Sequence, residues 1–357
     1  MLVPVRFSKC CSLLIGIALG LTACQDNTQA LWHDYAERLS RVTEQSFIAP
    51  DYLPKDNRLL NSVGEIQAPS TRMSLPLLNS LGLMHCRLGE LIADHNSILG
   101  KVAEPSEQFK YQLAFIQAAP ACLQSLSLDD QSRRLLTEAK LQKQRELMDW
   151  FYWMLLKDRA LDKLLFISHD SLSRRSPLAG LTETELALAN LVKLKTDIEL
   201  AQSGRISWHA LDVTNLDSAL TELARSRIIA RNMRSQSISL LWLMQLNDWL
   251  EPQLALLLCR PGHSKQRQEI LQRILVRNFT GPIQQQLSHS RHIQRRLGNM
   301  LQSLYQGTPH AERIEYFFAE TTGGPKDLLN ARLNNELKRH VHWWQKLRDS
   351  CNSTPAG

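Results

Sequence analysis

The chain has 357 residues, of which 43% are hydrophobic and 22% charged, and a formal net charge of +7. That length leaves room for about two domains and an ample core. The composition excludes a disordered chain, a collagen and a multispanning membrane protein.

Residues 1–23 have the parts of an export signal. Arg6 and Lys9 give a positive start, Ser12 to Leu21 an apolar run, and Leu21-Thr22-Ala23-Cys24 closes it. The run is shorter than the ~20 apolar residues of a comfortable membrane span. The closing tetrapeptide resembles the bacterial lipobox. The resemblance implies cleavage before Cys24, acylation of Cys24 and a short tether over residues 24–29. Several acyl chains make a lasting anchor where one binds only marginally, at ~0.8 kcal/mol per buried methylene. Gln25 stands where Asp would retain such a protein in the inner membrane, so the expected place is the outer membrane, facing the periplasm.

Cys10 and Cys11 leave with the signal, and Cys86, Cys122, Cys259 and Cys351 remain beside the lipidated Cys24. An even set in an oxidising compartment suggests disulfides, and four cysteines allow three pairings. The sequential one, Cys86–Cys122 and Cys259–Cys351, is favoured, with about 3–5 kcal/mol of loop entropy for each. No CxxC is present, which argues against thiol redox catalysis and a zinc ribbon.

Helical periodicity dominates the mature chain. A first helix is expected over Ala30–Gln45, followed by an irregular stretch, 47–71, with Pro50, Pro54, Gly64 and Pro69. Pro76 can open a helix to about Ser97, on which Gly82, Cys86, Gly89 and Ala93 form a small-residue stripe. A helix from Pro105 should stop at Pro120. Ser127 can cap the next, which reaches about Lys157. Thr182-x-x-Glu185 reads as a capping box, with Leu181 and Leu186 as its hydrophobic staple. Asn215–Leu250 reads as one long helix or a broken pair whose second half, from Ile238, is the most buried segment. Lys265–Phe279 and Ile283–Tyr305 should be two helices separated by Gly281-Pro282. The last helix, about Lys326–Cys351, turns Leu329, Leu333, Leu337, Trp344 and Cys351 to one side. The expected architecture is all-α: one multi-helix, bundle-like, disulfide-stapled body over 30–351. A division into two lobes near 168–180 and a tail at 352–357 complete the reading.

Three stretches together resemble a known family: Cys86-Arg87-Leu88-Gly89-Glu90-Leu91-Ile92, then Asn96-Ser97-Ile98-Leu99-Gly100-Lys101-Val102, then Ala119-Pro120-Ala121-Cys122. With His342-Trp343-Trp344-Gln345 and Cys351, they are similar to a proteobacterial lipoprotein family, domain-of-unknown-function family 3080. The resemblance covers nearly the whole mature chain. It implies an envelope lipoprotein and supplies no activity. His95 stands where that family is expected to have Arg.

Four constellations carry candidate chemistry. Glu90 and Asp94 share a helix face with Asn96 and Ser97 nearby, and a pair of carboxylates can divide acid and base work in a glycosidase. Peptidoglycan would be the substrate, and a solvated helix face is the plainer reading. His289 and His292 are spaced to meet one metal, but no HExxH and no His-rich tract accompanies them, so no metal and no cofactor is expected. Trp150-Phe151-Tyr152-Trp153 must cover all sides of a helix and could reach a partner. From Arg260 to Arg296, eight basic residues face the single acid Glu269, with Arg273, Arg277, Arg291 and Arg295 as the candidate basic surface. Such a face suits an envelope protein or an anionic wall or lipid partner. Nucleic acid fits the charge but not the compartment. No GxSxG elbow, P-loop or dinucleotide fingerprint is present. The expected function is binding or scaffolding at the membrane, with a peptidoglycan hydrolase as the alternative.

Overall fold

A computed structural model describes residues 27–50, 68–69, 83, 86–125, 128–162, 164, 168–259, 265–319 and 328–352. The export signal, Cys24, the 352–357 tail beyond Asn352 and most of the irregular stretch 47–71 lie outside the described residues. Among the described residues there are eleven helices of eight residues or more and no strand, so the fold is all-α. None of these helices is long and apolar enough to cross a membrane.

The first helix, α1, spans Asn27–Thr43 and starts three residues before the expected Ala30. The reason is that Thr28 is buried and its amide donates to Ser171 Oγ at 3.0 Å. Of the expected Pro76–Ser97 helix, residues 76–82, 84 and 85 lie outside the described residues. Cys86 is extended, and α2 covers only Arg87–Asn96. Helix α3, Pro105–Leu123, runs through Pro120 instead of stopping there. Pro120 sits in the last turn, where one lost amide costs little cooperativity. Helix α4, Asp130–Lys157, is capped by Asp129, whose carboxylate accepts from the Ser132 amide at 2.7 Å; Ser127 lies outside the described residues.

The expected capping box is also overturned. Helix α5, Leu181–Gln202, begins one residue ahead of Thr182, and its N-cap is Gly180 at φ 82°. Glycine takes that left-handed conformation without steric cost. Thr184, not Thr182, bonds back to the Gly180 carbonyl at 2.6 Å, and Leu186 is 63% exposed, so there is no staple. The Asn215–Leu250 region is a broken pair, α6 (Leu216–Arg225) and α7 (Ile228–Leu250). Helix α7 is flanked by α1 and by the helices that follow, and most of its positions are buried from the first turn onward. Glu251-Pro252 restarts the chain as a 3-10 turn.

The expected break at Gly281-Pro282 does not occur. Helix α8, Lys265–Ile274, passes into a π-helical stretch, Leu275–Ile283, and on into α9, Gln284–Tyr305. In an α-helix the ring of Pro282 would clash with the carbonyl four residues back. The wider π turn removes that clash and keeps the helix continuous. It also turns Asn278 and Phe279 inward together. Asn278 donates to Asp34 at 2.5 Å, and Phe279 lies among Trp32, Tyr35 and His340. Helices α10, Ala311–Phe318, and α11, Leu329–Asn352, complete the chain.

Two hydrophobic cores result. The main one gathers residues from α1 and α3 through α11 around α7. The stretch 168–180 crosses it: Leu172 is buried and its amide donates to Ser235 Oγ at 2.9 Å. A smaller core joins Leu83, Leu88, Ile92, Phe115, Ala119, Cys122, Leu128, Leu136 and Ala139. The disulfides are Cys86–Cys122 and Cys259–Cys351, with Cα–Cα distances of 5.8 and 4.8 Å and sequence separations of 36 and 92. The first pins α2 to α3 over the small core, and the second ties the end of α11 to the chain after α7.

Candidate functional site

The inward face of α9 is not uniformly apolar. Gln286, Ser290, Ile293, Gln294, Leu297 and Leu301 fall at helical spacing and are all buried. The facing turns of α7 contribute Asn232, Ser235, Gln236 and Ser239, also buried. A polar seam therefore runs through the main core. Trp32 Nε1 donates to Ser239 at 3.2 Å, Thr28 Oγ1 to Ser235 at 3.2 Å, and Gln286 Nε2 to Thr28 at 2.6 Å. Farther along, Ser290 Oγ donates to Asn232 at 2.5 Å, and Gln236 Nε2 to Asn330 Oδ1 of α11 at 3.2 Å.

At that end the seam opens into a groove between α7, α9 and α11, with a volume of about 570 Å³. Gln236, Ser290, Gln294, Asn330 and Asn334 line it beside Leu287, Leu333 and Leu337, and Arg291 and Arg295 line it from the solvent side of α9. No carboxylate lines it among the described residues. Gln236 Oε1 and both amide atoms of Gln294 are buried without a hydrogen-bond partner among the described residues. Leaving such groups unpaired costs about 1–3 kcal/mol each. Behind Gln294, Gly298 lets the end of α10 press in. A Cβ there would lie 2.8 Å from the Phe318 carbonyl.

The structure divides the candidate basic surface. All four arginines are exposed, but only Arg291 and Arg295 line the groove; Arg273 and Arg277 precede it on α8 and the π stretch. Arg291 reaches Asn334 Oδ1 across the groove at 3.5 Å. Arg273 donates to its own helix, at the Glu269 carbonyl. Arg296 is neutralised by Glu185, with Nε 2.8 Å from Oε1, and Arg267 reaches Glu44 at 3.5 Å.

Glu90 and Asp94 are both exposed on α2, far from these helices in sequence and in packing. Asn96 ends α2. Ser97 accepts from the Gly100 amide at 3.0 Å and so caps the one-turn helix Ile98–Lys101, a structural job. The aromatic runs pack in or against the main core, with Tyr152 and Trp153 partly buried. Trp150 and Phe151 are buried, Tyr152 donates to the Gln306 carbonyl at 3.0 Å, and Trp343 donates to the Leu250 carbonyl at 3.0 Å. Among the described residues no three His, Cys, Asp or Glu side chains are grouped as metal ligands.

Two buried titratable groups lie elsewhere. His340 of α11 is fully buried, with Nε2 2.8 Å from Tyr35 Oη and Nδ1 2.8 Å from Asn247 Oδ1. Trp344 Nε1 donates towards both Tyr35 and His340, and Asn247 Nδ2 donates to Glu336. The donors around Nε2 and the acceptor at Nδ1 place the single imidazole proton on Nδ1. Burial holds His340 down to about 3. Lys143 of α4 donates to Gln112 Oε1 at 2.5 Å and lies over the rings of Tyr111 and Phe115 at 5.1 and 4.8 Å. Burial lowers it to about 8, and His95 stacks on the same Tyr111 ring at 3.8 Å. Sequence reading missed Gln236, Gln294, Asn330, Asn334, His340 and Lys143. The available signal was polar residues on the apolar stripe of α9.

No curated protein and no solved structure matches this chain. A family model described as "Protein of unknown function (DUF3080)" matches residues 32–355, and the chain belongs to that family.

Proposed function

We propose that this chain is a lipid-anchored envelope protein that works by binding, tethered through Cys24 at the outer membrane and facing the periplasm, with the α7–α9–α11 groove as its capture site. The observation that carries the binding reading is the groove floor. Among the described residues, Gln236 Oε1 and both amide atoms of Gln294 lack partners beneath Arg291 and Arg295. A fold that leaves such groups unpaired gains most when a ligand supplies the missing bonds. The groove holds no carboxylate among the described residues, which favours binding over hydrolysis. The order of basic start, apolar run, small residues and Cys24 supports the anchor. Two disulfides suit an oxidising compartment.

Two experiments test the reading. Labelled palmitate should enter the wild type and not Cys24→Ala, and Cys24→Ala should leave the membrane fraction. Equal labelling and sedimentation of both would sink the anchor. Cross-linking in intact envelopes should give one dominant adduct, lost in the folded double variant Arg291→Gln/Arg295→Gln. An adduct that survives this change, or no adduct at all, removes the groove as the capture site.

A further inference from the structure

We infer that the groove takes an anionic saccharide, a sugar carrying a phosphate or a carboxylate, with its charged group against Arg291 and Arg295 and its hydroxyls against Gln236, Gln294 and Asn330. The inference rests on the binding reading and deepens it. Three features select the ligand. First, two exposed guanidiniums face the groove with no carboxylate lining it among the described residues. A cation or a basic peptide would meet like charge there, whereas an oxyanion gains charge-assisted bonds. Among the described residues Arg291 reaches only a neutral amide, Asn334 at 3.5 Å, and no ion pair offsets its charge.

Second, the unpaired atoms at the floor are of both kinds. Gln294 carries a donor and an acceptor, and Gln236 an acceptor, all buried just beneath the groove lining, where a turn of the amide brings them to a ligand. Inorganic phosphate at neutral pH keeps only one or two P–OH donors, on the same small ion that the arginines hold, so it meets Gln236 Oε1 and Gln294 Oε1 less fully than a ring of hydroxyls does. A sugar hydroxyl donates and accepts at once and satisfies both. Third, Leu287, Leu333 and Leu337 give the groove an apolar wall, which suits the C–H face of a pyranose and not a hydrated ion. The volume of about 570 Å³ lies within the range of small-molecule sites.

The test is titration calorimetry on the purified full chain with N-acetylglucosamine 1-phosphate, N-acetylmuramic acid, N-acetylglucosamine, inorganic phosphate and hexaglutamate. At least one of the two anionic sugars should bind saturably. The neutral sugar and inorganic phosphate should each be at least about ten-fold weaker, the neutral sugar through loss of the charge-assisted bonds. Preference for the phosphate assigns the ligand to phosphorylated envelope lipid sugars, and preference for the acid to the wall polymer. Arg295→Gln should weaken binding about ten-fold and reduce its salt dependence. Gln294→Leu should reduce the sugar's affinity to that of inorganic phosphate while melting no lower than the wild type. No saturable binding of either anionic sugar overturns the inference, as does equal binding of inorganic phosphate, tighter binding of hexaglutamate, or sugar binding unchanged in both variants. If the sugars fail while the envelope adduct still depends on Arg291 and Arg295, the binding reading stands and only the ligand class falls.

Discussion

The small core over Cys86–Cys122 and the polar seam beneath the groove are ordered by opposite means. In the first, nine buried residues from α2, α3, α4 and the turns beside them meet around a covalent bridge, and several polar groups at its edge are satisfied locally. Ser97 and Asp129 cap their helices, and Lys143 finds Gln112 and two aromatic faces. In the second there is no bridge, and side-chain hydrogen bonds connect α1, α7, α9 and α11 while several amide atoms stay unmet. The comparison separates a region built for stability from one that gives stability up. Each unsatisfied buried amide calls for an explanation, and at the groove a bound ligand supplies one.

The largest effect expected is in the small core. Cys86→Ala/Cys122→Ala should lower unfolding stability by about 3–4 kcal/mol, because a loop of 36 positions regains its freedom in the unfolded chain. Denaturant unfolding measures the loss. Groove binding should not change, since the two regions share no residue. A binding defect in this variant would break the comparison by showing that the regions are coupled.

The second effect is pH dependence in the main core. His340 is held down to about 3 by burial, against an unfolded value near 6.5, so folding excludes its charged form. Its contribution is complete above the unfolded value and is lost as pH falls below it towards the folded one. Between pH 6.5 and 4 this amounts to about 3 kcal/mol from this residue. Tyr35, Asn247, Trp344 and, behind Asn247, Glu336 surround it, and no side chain bonded to its ring is a carboxylate that could stabilise an imidazolium. His340→Gln should be less stable at pH 7 and should show a shallower slope from pH 6.5 to 4 in a series of denaturant melts. An equal slope would mean that His340 is charged in the fold. The small core carries a smaller version of the same effect on the basic side. Lys143, lowered to about 8 by burial, contributes less as pH falls from its ordinary value near 10.5 towards 8. Lys143→Met should flatten the wild type's loss of stability over that range.

The same comparison explains what could be read from the sequence. The all-α class, the core face of the last helix, the broken pair at Asn215–Leu250 and both disulfides follow from periodicity and cysteine positions, because apolar stripes and close approach are local requirements. The misses occur where tertiary packing overrides a local signal. Pro120 and Gly281-Pro282 both look like helix stops. One is tolerated in a final turn, and the other is absorbed by a π stretch that relieves the Pro282 clash and turns Asn278 towards α1. Thr182-x-x-Glu185 looks like a capping box, but Gly180 starts the helix first and Glu185 pairs with Arg296 instead. The groove was half legible. Arg291 and Arg295 stood out by charge density, whereas Gln236, Gln294, Asn330 and Asn334 looked like solvent-facing residues, since a buried glutamine and an exposed one are the same letter.

The smallest effect is the sharpest. Gln294 is 4% exposed, and neither of its amide atoms has a partner among the described residues. If its side chain serves the fold, Gln294→Leu should cost the usual 1–3 kcal/mol of a buried polar group deprived of its bonds. If it is held ready for a ligand, the leucine removes an unpaid desolvation cost, and stability should stay level or rise by up to about 1 kcal/mol. The control is Asn330→Leu on α11, in the same groove. Asn330 accepts from Gln236 and donates to the Ala319 carbonyl at 3.2 Å, so its loss should destabilise by about 1–3 kcal/mol. Two substitutions of similar size in one groove should thus move the melting temperature in opposite directions. That difference of sign distinguishes a site from a packing defect: a merely ill-packed region would respond alike to both, whereas a site has some groups that hold it open and others that wait.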